Sequence, residues 1–329
     1  MLVLVLGCGS IGRRHIGNLK KLGADVLAFD PDKACAAWVR KHLRVPTADT
    51  LEAGLEAKPD ATWVCSPPSS HARLAVSALG RRIPCFIEKP IAHTLKDGKA
   101  IAAAVRRTRV PAFVGYQLRC EPAVQALRQR ILTRSWGRLH FIRAQVGQYL
   151  PDWRPRQDFR RGYTARQDLG GGILLDASHE IDLSLFLAGE AESVYCQAGK
   201  LGGFGLDVED TASLVLSHKN GAVSEVHLDM VSRAPRRTLE LSFERATVVL
   251  DWLAETLAVY SASSRTWRKT RLKTHYSEHY RIEARSFLAA VRRPPRTAGF
   301  LEADSALETL AVVEAAKKSA ATRRRERIP

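Results

Sequence analysis

Short apolar runs alternate with helical patterns over the first 117 residues. Each run is short and bounded by turn-forming residues, which is typical of strands buried on both faces of a parallel sheet. The five runs are Leu2–Leu6, Val26–Phe29, Thr62–Cys65, Cys85–Ile87 and Ala112–Val114. Helical spacing of apolar residues lies between them, for example at Ile11–Leu22 and Leu95–Arg107. This alternation predicts an α/β domain with a doubly wound parallel sheet over residues 1–117.

The pattern changes after residue 117, where the runs become longer and alternate between apolar and polar positions. A helix is predicted over Pro122–Leu132, and Asn220-Gly221 joins two alternating runs in a strong hairpin signal. The predicted strands are Leu139–Val146, Thr211–Ser217, Ala222–Val231, Arg237–Phe243, Thr247–Leu250 and Leu257–Ser261. Two helices follow, near Glu278–Val291 and Glu302–Ser319. Residues 118–329 are therefore predicted to form an α+β domain with an open, mainly antiparallel sheet.

Composition narrows the class of protein. The 329 residues are 45% hydrophobic and 26% charged, which are ordinary globular values and exclude a disordered chain or a coiled coil. No apolar run approaches the roughly 18 residues that a bilayer crossing needs. The apolar start, Met1–Leu6, lacks the flanks of a signal peptide. Six scattered cysteines without a C-x-x-C pair indicate reduced thiols. We therefore expect a cytoplasmic protein without membrane contact or a metal site.

The excess of basic over acidic residues raises the question of a polyanionic partner. There are 51 Lys and Arg against 34 Asp and Glu, giving a net charge of +17, and such a charge attracts nucleic acid. The basic residues are nevertheless spread along the chain, and the one dense cluster is Arg323–Arg327. The sequence shows no motif of interleaved aromatic and basic residues typical of nucleic-acid-binding modules, so nucleic acid is not the favoured partner. A basic cleft for an anionic sugar or a nucleotide sugar is the other interpretation.

A glycine motif follows the first predicted strand and opens the first predicted helix. Its sequence is Gly7-Cys-Gly-Ser-Ile-Gly12, and this context makes a G-x-G-x-x-G pattern informative. Gly7 permits the tight turn, Gly9 lets the backbone approach a pyrophosphate, and Gly12 lets helix and strand pack closely. The phosphates would lie on the free N–H groups at the helix N-terminus. The motif predicts a Rossmann dinucleotide-binding domain.

Asp30 follows the second predicted strand, 18 residues after Gly12. An acidic residue about 20 residues beyond the glycines hydrogen-bonds the ribose hydroxyls in such domains. A carboxylate there repels a 2′-phosphate, so NAD is favoured over NADP. Lys33 and Arg13 are close enough in sequence to keep NADP open, and Asp30 also fits a plain Asp-Pro turn.

The segment Glu88-Lys89-Pro90 closes the fourth predicted strand. Ligands of open α/β sheets bind at the carboxyl ends of the strands. The Lys89 ammonium could there hydrogen-bond a substrate hydroxyl and stabilise the developing alkoxide. The competing interpretation is a lysine that is merely solvated at a strand end.

A glycine triplet, Gly170–Gly172, precedes an apolar helical pattern that carries Asp176, His179 and Asp182. These three residues are spaced i, i+3 and i+6, so successive members are neighbours on one side of a helix. Histidine titrates near neutral pH, and a carboxylate that orients it would make His179 a plausible general base. His179 could equally be a core histidine. A metal site is the weaker interpretation because no fourth ligand accompanies the three.

Five segments together resemble the Gfo/Idh/MocA family of glucose–fructose oxidoreductase and inositol dehydrogenase. They are Leu6–His15, Val64–His71, Glu88-Lys89-Pro90, Gly115–Arg119 and the glycine-triplet helix. The resemblance spans nearly the whole chain. It implies a Rossmann domain, a second domain for substrate binding and oligomerisation, and NAD-dependent hydride transfer to or from a sugar, a polyol or a nucleotide sugar. Tyr149–Pro155 is further similar to members linked to bacterial polysaccharide and sugar biosynthesis.

The resemblance also implies roles for particular residues. Lys89, His179 and Asp176 would be catalytic and assist proton transfer. The residues implied for cofactor binding are Gly7, Gly9, Ser10, Ile11, Gly12, Asp30, Ser66, Pro67, His71, Glu88, Lys89 and Gln117. Those implied for substrate binding are Lys89, Tyr149, Trp153, Arg154, Asp176 and His179.

One feature departs from the family pattern. Many members place the histidine four residues after the aspartate, whereas Asp176 and His179 are three apart. If the helices are aligned through His179, Leu175 takes the aspartate position. A rotation of about 100° per residue then decides whether the Asp176 carboxylate reaches the site.

Three hypotheses of different classes follow. The leading one is an NAD-dependent sugar or polyol dehydrogenase, acting as a homo-oligomer because an open sheet face commonly becomes a subunit interface. The alternative is a catalytically silent NAD-binding sensor or structural protein, which the altered spacing of Asp176 keeps open. The third is a protein associated with nucleic acid, and the net charge of +17 is the one observation that favours it.

Overall fold

The computed structural model describes residues 1–153, 155, 158–272, 275–292 and 301–329. The chain forms two compact units, which are Met1–Gln117 with Ser277–Leu307, and Leu118–Tyr276 with Glu308–Pro329. The first boundary lies at the position that the sequence suggests. Ser277–Leu307 is a difference, because the sequence analysis assigned all of residues 118–329 to the second domain.

Helices and strands alternate regularly in the first third of the chain and are grouped in the rest. The strands are β1 (Leu2–Leu6), β2 (Asp25–Phe29), β3 (Ala61–Val64), β4 (Cys85–Glu88), β5 (Ala112–Gly115), β6 (Leu139–Gly147), β7 (Ala191–Gly199), β8 (Thr211–His218), β9 (Val223–Asp229), β10 (Arg236–Phe243), β11 (Ala246–Asp251), β12 (Thr256–Ser261), β13 (Thr266–Arg271), β14 (Leu301–Glu302) and β15 (Glu326–Arg327). The helices are α1 (Ser10–Lys21), α2 (Lys33–Leu43), α3 (Leu51–Glu56), α4 (His71–Gly80), α5 (Leu95–Thr108), α6 (Pro122–Leu132), α7 (Leu150–Trp153), α8 (Ile173–Asp176), α9 (Ser178–Ala188), α10 (Tyr276–Arg292) and α11 (Ala303–Thr322).

The first unit contains a six-stranded sheet in the order β14-β5-β4-β3-β1-β2. Strands β1 to β5 pair in parallel, and the short β14 pairs antiparallel with β5 at the edge. This confirms the predicted parallel Rossmann sheet. Strands β3, β4 and β5 are buried along their whole length, which explains why they are short, continuous apolar runs. The carboxyl ends of β1, β3 and β4 are neighbours at one edge.

Helix α10 packs in the first unit through Phe287. Its ring lies 5.1 Å from Trp63, 5.7 Å from Phe86 and 5.4 Å from Phe113 between centroids, in edge-on geometry with each. Trp63 and Phe86 stack at 4.4 Å. Aromatic pairs of this kind contribute about 0.5–1.5 kcal/mol beyond the area they bury. This cluster explains why Ser277–Leu307 belongs with residues 1–117.

The second unit contains a nine-stranded sheet in the order β13-β12-β11-β10-β6-β9-β8-β7-β15. Neighbouring strands are antiparallel except β6 and β9, which pair in parallel, so the predicted mainly antiparallel sheet is confirmed. Helix α9 packs on β6 and β9. The other face exposes Tyr195 and Val215, which are opposite each other on β7 and β8. Strand β13 was not predicted, because all six of its residues are exposed and it lacks apolar alternation.

Two further expectations concern the chain as a whole. Within the described residues, no helix combines the length and the apolarity that a bilayer crossing requires. All six cysteines are free thiols in the structure, four of them buried.

The packing at Gly12 yields a first testable prediction. A Cβ atom added at Gly12 would lie 1.9 Å from the carbonyl oxygen of Gly7, whereas one added at Gly17 in the same helix would meet nothing within 4 Å. We expect Gly12→Ala to lower the free energy of unfolding by about 1–3 kcal/mol, because backbone cannot yield as a side chain does. Gly17→Ala should raise it by about 0.5–1 kcal/mol. Urea unfolding followed by circular dichroism measures both, and equal effects would contradict the close approach of α1 to the loop.

Candidate active site

The glycine loop joins β1 to α1 at the carboxyl edge of the first sheet. Gly7 has φ +111°, and a Cβ there would meet the Cys65 carbonyl at 2.7 Å. In contrast, nothing lies within 4 Å of a Cβ added at Gly9, the N-cap of α1. The N–H groups of Ser10 and Ile11 belong to the first turn, where helix donors have no partner within the helix. Open space above free donors is what a dinucleotide pyrophosphate needs, so the loop fits this cofactor.

Asp30 lies directly after β2 and is bound to the glycine loop. One carboxylate oxygen accepts the Cys8 N–H at 2.6 Å and the other accepts the Asp32 N–H at 2.8 Å. A carboxylate has about four acceptor positions, so these turn contacts leave capacity for a ribose hydroxyl. Arg13 donates to the Cys8 carbonyl at 2.8 Å and lies 3.9 Å over the Trp38 ring. Its guanidinium is therefore already engaged beside the loop, which favours the NAD interpretation.

His71 is completely buried and links two loops. Its ring nitrogens lie 3.0 Å from the Pro90 carbonyl oxygen and 2.9 Å from that of Ser66. Burial lowers the pKa of His71, although both carbonyls oppose the shift. The imidazole thus fastens the Ser66-Pro67 turn to the strand end after β4, and it does not present a nitrogen to a cofactor as the sequence implied. Ser66 and Pro67 themselves are partly exposed.

Glu88 points into the protein and holds the peptide of Lys89. Its Oε1 lies 2.6 Å from Nε2 of His15, and its Oε2 accepts the Lys89 N–H at 3.2 Å. His15 is fully buried and Glu88 is 7% exposed. The family resemblance implied a cofactor contact for Glu88, and in the structure both of its carboxylate oxygens have partners within the protein. Its Oε2 atom contacts the backbone of Lys89, which is half-buried and directly follows β4.

Gln117 is also buried, at the end of the first unit's chain segment. Its amide nitrogen donates to the hydroxyl of Tyr280 on α10 at 3.1 Å. The Tyr280 ring lies 5.8 Å from His15 in edge-on geometry. Sequence reasoning missed His15 and Tyr280. His15 stands three residues after Gly12, on the face of α1 that covers the sheet, and this spacing was the available signal.

The glycine triplet of the second unit shapes the start of α8. Gly170 and Gly172 have φ of +85° and +102°, and a Cβ on Gly172 would meet the Glu209 carboxylate at 2.5 Å. Glu209 accepts the Ile173 N–H through its backbone oxygen at 3.0 Å and the Leu174 N–H through its side chain at 3.2 Å. Glu209, which is distant in sequence, therefore accepts hydrogen bonds from the first N–H groups of α8.

The predicted single helix after the triplet is two helices. Helix α8 ends at Asp176 and α9 begins at Ser178, with Ala177 at φ −99° and ψ 28° between them. Asp176 is half-buried and accepts the hydroxyl of Tyr163, while Leu175 is buried in the core. The break and the tyrosine determine the direction of the Asp176 carboxylate, and Leu175 does not replace it.

His179 lies on α9, just before two residues that form buried ion pairs. It is 5% exposed. Glu180 binds Arg237 of β10 at 2.8 Å, and Asp182 forms a bidentate pair with Arg119 at 2.8 and 2.7 Å. Burial raises the pKa of Asp182, and the pair with Arg119 opposes that rise. Asp182 is therefore a structural partner of Arg119. It still lies three residues after His179 on α9, whereas Asp176 lies on the separate helix α8.

The implied substrate residues before the triplet lie in a small aromatic cluster. The Tyr149 ring lies 5.6 Å from Phe204 and carries the guanidinium of Arg233 at 3.6 Å. The Trp153 indole N–H donates to the Gln148 carbonyl at 3.0 Å. Arg154 lies outside the described residues. Both aromatic side chains are partly exposed.

Among the described residues, no three His, Cys, Asp or Glu side chains are grouped as a metal site. Burial raises the pKa of Cys8 and of Cys85 to about 12, so these thiols are protonated and weak nucleophiles.

Comparison with known proteins identifies both halves of the chain. Residues 1–116 match the family model described as an oxidoreductase family with an NAD-binding Rossmann fold, and residues 124–249 match the GFO/IDH/MocA C-terminal domain. UDP-N-acetylglucosamine 3-dehydrogenase of Acidithiobacillus ferrooxidans is 27% identical over 80% of this chain and 77% of its own. Inositol 2-dehydrogenase of Rhizobium meliloti is 26% identical over 97% of both chains.

Solved structures show the same fold over the full length. Levoglucosan dehydrogenase in complex with NADH and L-sorbose has a TM-score of 0.90 and 20% identity, covering 100% of this chain and 99% of that one. The WlbA dehydrogenase of Bordetella pertussis with NADH and UDP-GlcNAcA has a TM-score of 0.83 and 21% identity, covering 100% and 98%. The glycine loop, the sheet topology and both matched domains thus show that the chain is an oxidoreductase of the Gfo/Idh/MocA family, with an NAD-binding Rossmann domain.

Proposed function

We propose that this enzyme transfers a hydride between nicotinamide and a hydroxyl-bearing carbon of a sugar, a polyol or a nucleotide sugar. The observation that carries the proposal is the buried His15–Glu88 pair, which fixes the Lys89 peptide at the same sheet edge as the glycine loop. Bound NAD supplies the hydride acceptor. The relatives support the substrate class, because they are named for UDP-N-acetylglucosamine, inositol and levoglucosan.

Lys89 is the proposed proton-handling group of the first unit. In the oxidation direction the substrate C–H bond breaks as hydride leaves, and the hydroxyl proton must pass to a base. An ammonium or amine at the end of β4 can bind that oxygen and stabilise its developing charge. Glu88 faces His15 and contacts Lys89 through the Lys89 backbone N–H.

His179 and Asp176 are the proposed catalytic residues of the second unit. Two ion pairs restrain α9 one and three residues after His179, which suits a base that must be held in a fixed orientation. The Tyr163 hydroxyl orients the Asp176 carboxylate. Tyr149 and Trp153 offer aromatic faces on which a sugar ring can pack. Ser66, Pro67 and Asp30 complete the proposed cofactor contacts.

The proton-transfer roles can be tested by substitution. We expect Lys89→Ala and His179→Ala each to lower kcat by on the order of 10²–10⁴-fold, the range for a positioned acid or base, with NADH affinity nearly unchanged. The assay follows nicotinamide absorbance with UDP-N-acetylglucosamine, myo-inositol and levoglucosan.

The matched controls for these variants are Lys96→Ala, an exposed lysine of the first unit, and His227→Ala, a partly exposed histidine of the second. Both controls should keep kcat within a few-fold of the wild type. If the kcat of Lys89→Ala equals that of Lys96→Ala, Lys89 has no catalytic role and is a solvated lysine at the end of a strand.

Cofactor preference provides a separate prediction. Asp30→Ala should weaken NADH binding by about 1.5–3 kcal/mol more than NADPH binding, the value of a hydrogen bond to a charged group, because NADPH lacks the free 2′-hydroxyl. Fluorescence titration measures the dissociation constant of each cofactor. The ratio of the two constants cancels the effect that loss of the Cys8 contact has on both. Asp32→Ala, which removes the cap of α2, should weaken both equally. If Asp30→Ala weakens the binding of NADH and of NADPH equally, Asp30 does not bind the ribose.

A silent NAD-binding sensor of the same fold is the second candidate. The observation that favours it is the break at Ala177, which separates Asp176 from the helix of His179. NADH binding by the protein without turnover of any sugar, polyol or nucleotide sugar would select this candidate.

We also propose that the enzyme is a cytoplasmic homo-oligomer that associates through the open face of the second sheet. Tyr195, Val215 and Val223 are 47%, 44% and 38% exposed, and the register places all three on that face. A cytoplasmic location suits the six free thiols.

The association predicts a particular response to charge. Val215→Arg replaces an exposed apolar side chain of this face with a long charged one and should convert the oligomer to monomers in sedimentation experiments, since charges are depleted at interface cores. Leu253→Arg, at an exposed position beyond β11, should leave the assembly intact. A wild-type monomer would refute the proposal directly.

A further inference from the structure

Glu283 is a buried carboxyl group that the proposed reaction does not use. It lies on α10 in the first unit and is 2% exposed. Its Oε2 atom is buried and has no hydrogen-bond partner among the described residues. A buried polar atom of this kind costs about 1–3 kcal/mol when it is left unpaired, so its retention calls for a reason other than packing.

The helix face of Glu283 points toward the end of β4. Tyr280 and Phe287 are three residues before it and four after it, so all three share one face of α10. Tyr280 packs against His15 at 5.8 Å, and Phe287 packs against Phe86 of β4 at 5.7 Å. Glu283 therefore lies between them, opposite the buried His15–Glu88 pair.

The charged and titratable groups around Glu283 come from every neighbouring element. Glu88 of β4 and Cys65 at the end of β3 interact with it electrostatically. His15 of α1 is bound to Glu88, and Arg14 of α1 lies 4.7 Å over the Tyr280 ring. On its own helix, His279 is buried one turn before it.

An ionised carboxyl group without a partner is costly in a buried site. Burial, and then the charge of Glu88, raise the pKa of Glu283 well above its usual range. Glu88, in contrast, has His15 and the Lys89 N–H as hydrogen-bond partners. A neutral Glu283 therefore avoids an unpartnered charge in this buried cluster.

We propose that Glu283 is held as a neutral carboxylic acid and is a positioning residue for Lys89. By carrying the proton of the buried pair, it leaves Glu88 as the single anion that binds His15 and the Lys89 N–H. A second charge in the cluster would compete for His15 and loosen the strand end that carries Lys89. This inference rests on the proposed function only in naming Lys89 as catalytic.

The protonation state can be measured without any substrate. An acid whose pKa is raised by folding stabilises the folded state fully below its unfolded pKa, and this contribution is lost as the pH rises toward the folded value. We expect the unfolding equilibrium constant of the wild type, relative to Glu283→Gln, to rise with pH above the ordinary carboxyl pKa, by at most about tenfold per pH unit. Glu278→Gln, a more exposed residue of the same helix, should show no such trend. A ratio that is constant with pH would overturn the proposal.

The positioning role needs a second readout. Glu283→Gln cannot ionise, so its kcat should persist at a pH where the stability contribution of Glu283 has been lost, whereas the wild-type kcat should fall there relative to that of Glu283→Gln. Glu88→Gln should lower kcat by on the order of 10²-fold while NADH affinity remains, as a small misplacement of a catalytic group does. Glu88→Gln also removes the charged neighbour of Glu283. In that background, the contribution of Glu283 to the free energy of unfolding should therefore stop changing at a lower pH than in the wild type.

The outcomes distinguish the two proposals. A large loss of kcat in Glu283→Gln at pH 7 would show that Glu283 works as an anion and would overturn this inference. If the wild type oxidises neither UDP-N-acetylglucosamine nor myo-inositol nor levoglucosan, the proposed function fails. The stability measurements on Glu283→Gln and on the Glu88→Gln background still decide the protonation of Glu283.

Discussion

The buried contact between His15 and Glu88 connects the two parts of the first unit that matter for chemistry. His15 is on the helix that begins at the glycine loop, and Glu88 is the last residue of the strand that precedes Lys89. A distance of 2.6 Å in a site closed to water makes this a strong, directional contact. The loop that would bind pyrophosphate and the strand end that carries the lysine therefore keep a constant spacing. The His15 ring also packs against Trp63 and Phe86 of the aromatic cluster and against Tyr280 of α10, so these residues help to hold the pair in place.

The second unit reaches comparable rigidity by different means. Its glycine triplet needs left-handed backbone at Gly170 and Gly172, and Glu209 satisfies the helix that follows. The next helix is held by Arg119 and Arg237 through two carboxylates that are almost completely buried. A buried ion pair adds little net stability, but breaking one is costly. These pairs therefore restrict the orientation of the helix more than they stabilise the unit.

Local pattern was sufficient for most of the fold and for part of the site. Continuous apolar runs identified β1 to β5, and the glycine motif and Lys89 follow such runs directly. The contacts that shape the site were beyond sequence reasoning, because His15 and Glu88 are 73 residues apart and the partner of Asp176 is a tyrosine in an irregular loop. The break at Ala177 follows an apolar pattern that suits one continuous helix equally well. Strand β13 has no buried face, so periodicity cannot report it.

The position of Phe287 has a consequence for the order in which the chain can fold during synthesis. Trp63, Phe86 and Phe113 are made early, but the ring that completes their cluster is encoded more than 170 residues after Phe113. A nascent chain that has emerged only as far as the end of β5 therefore exposes an incomplete aromatic core. Exposed apolar surface of this kind is where aggregation begins and where chaperones bind. Unlike a domain that folds as its last residue emerges, the first unit must wait for almost the whole protein, so its folding is coupled to the synthesis of the second.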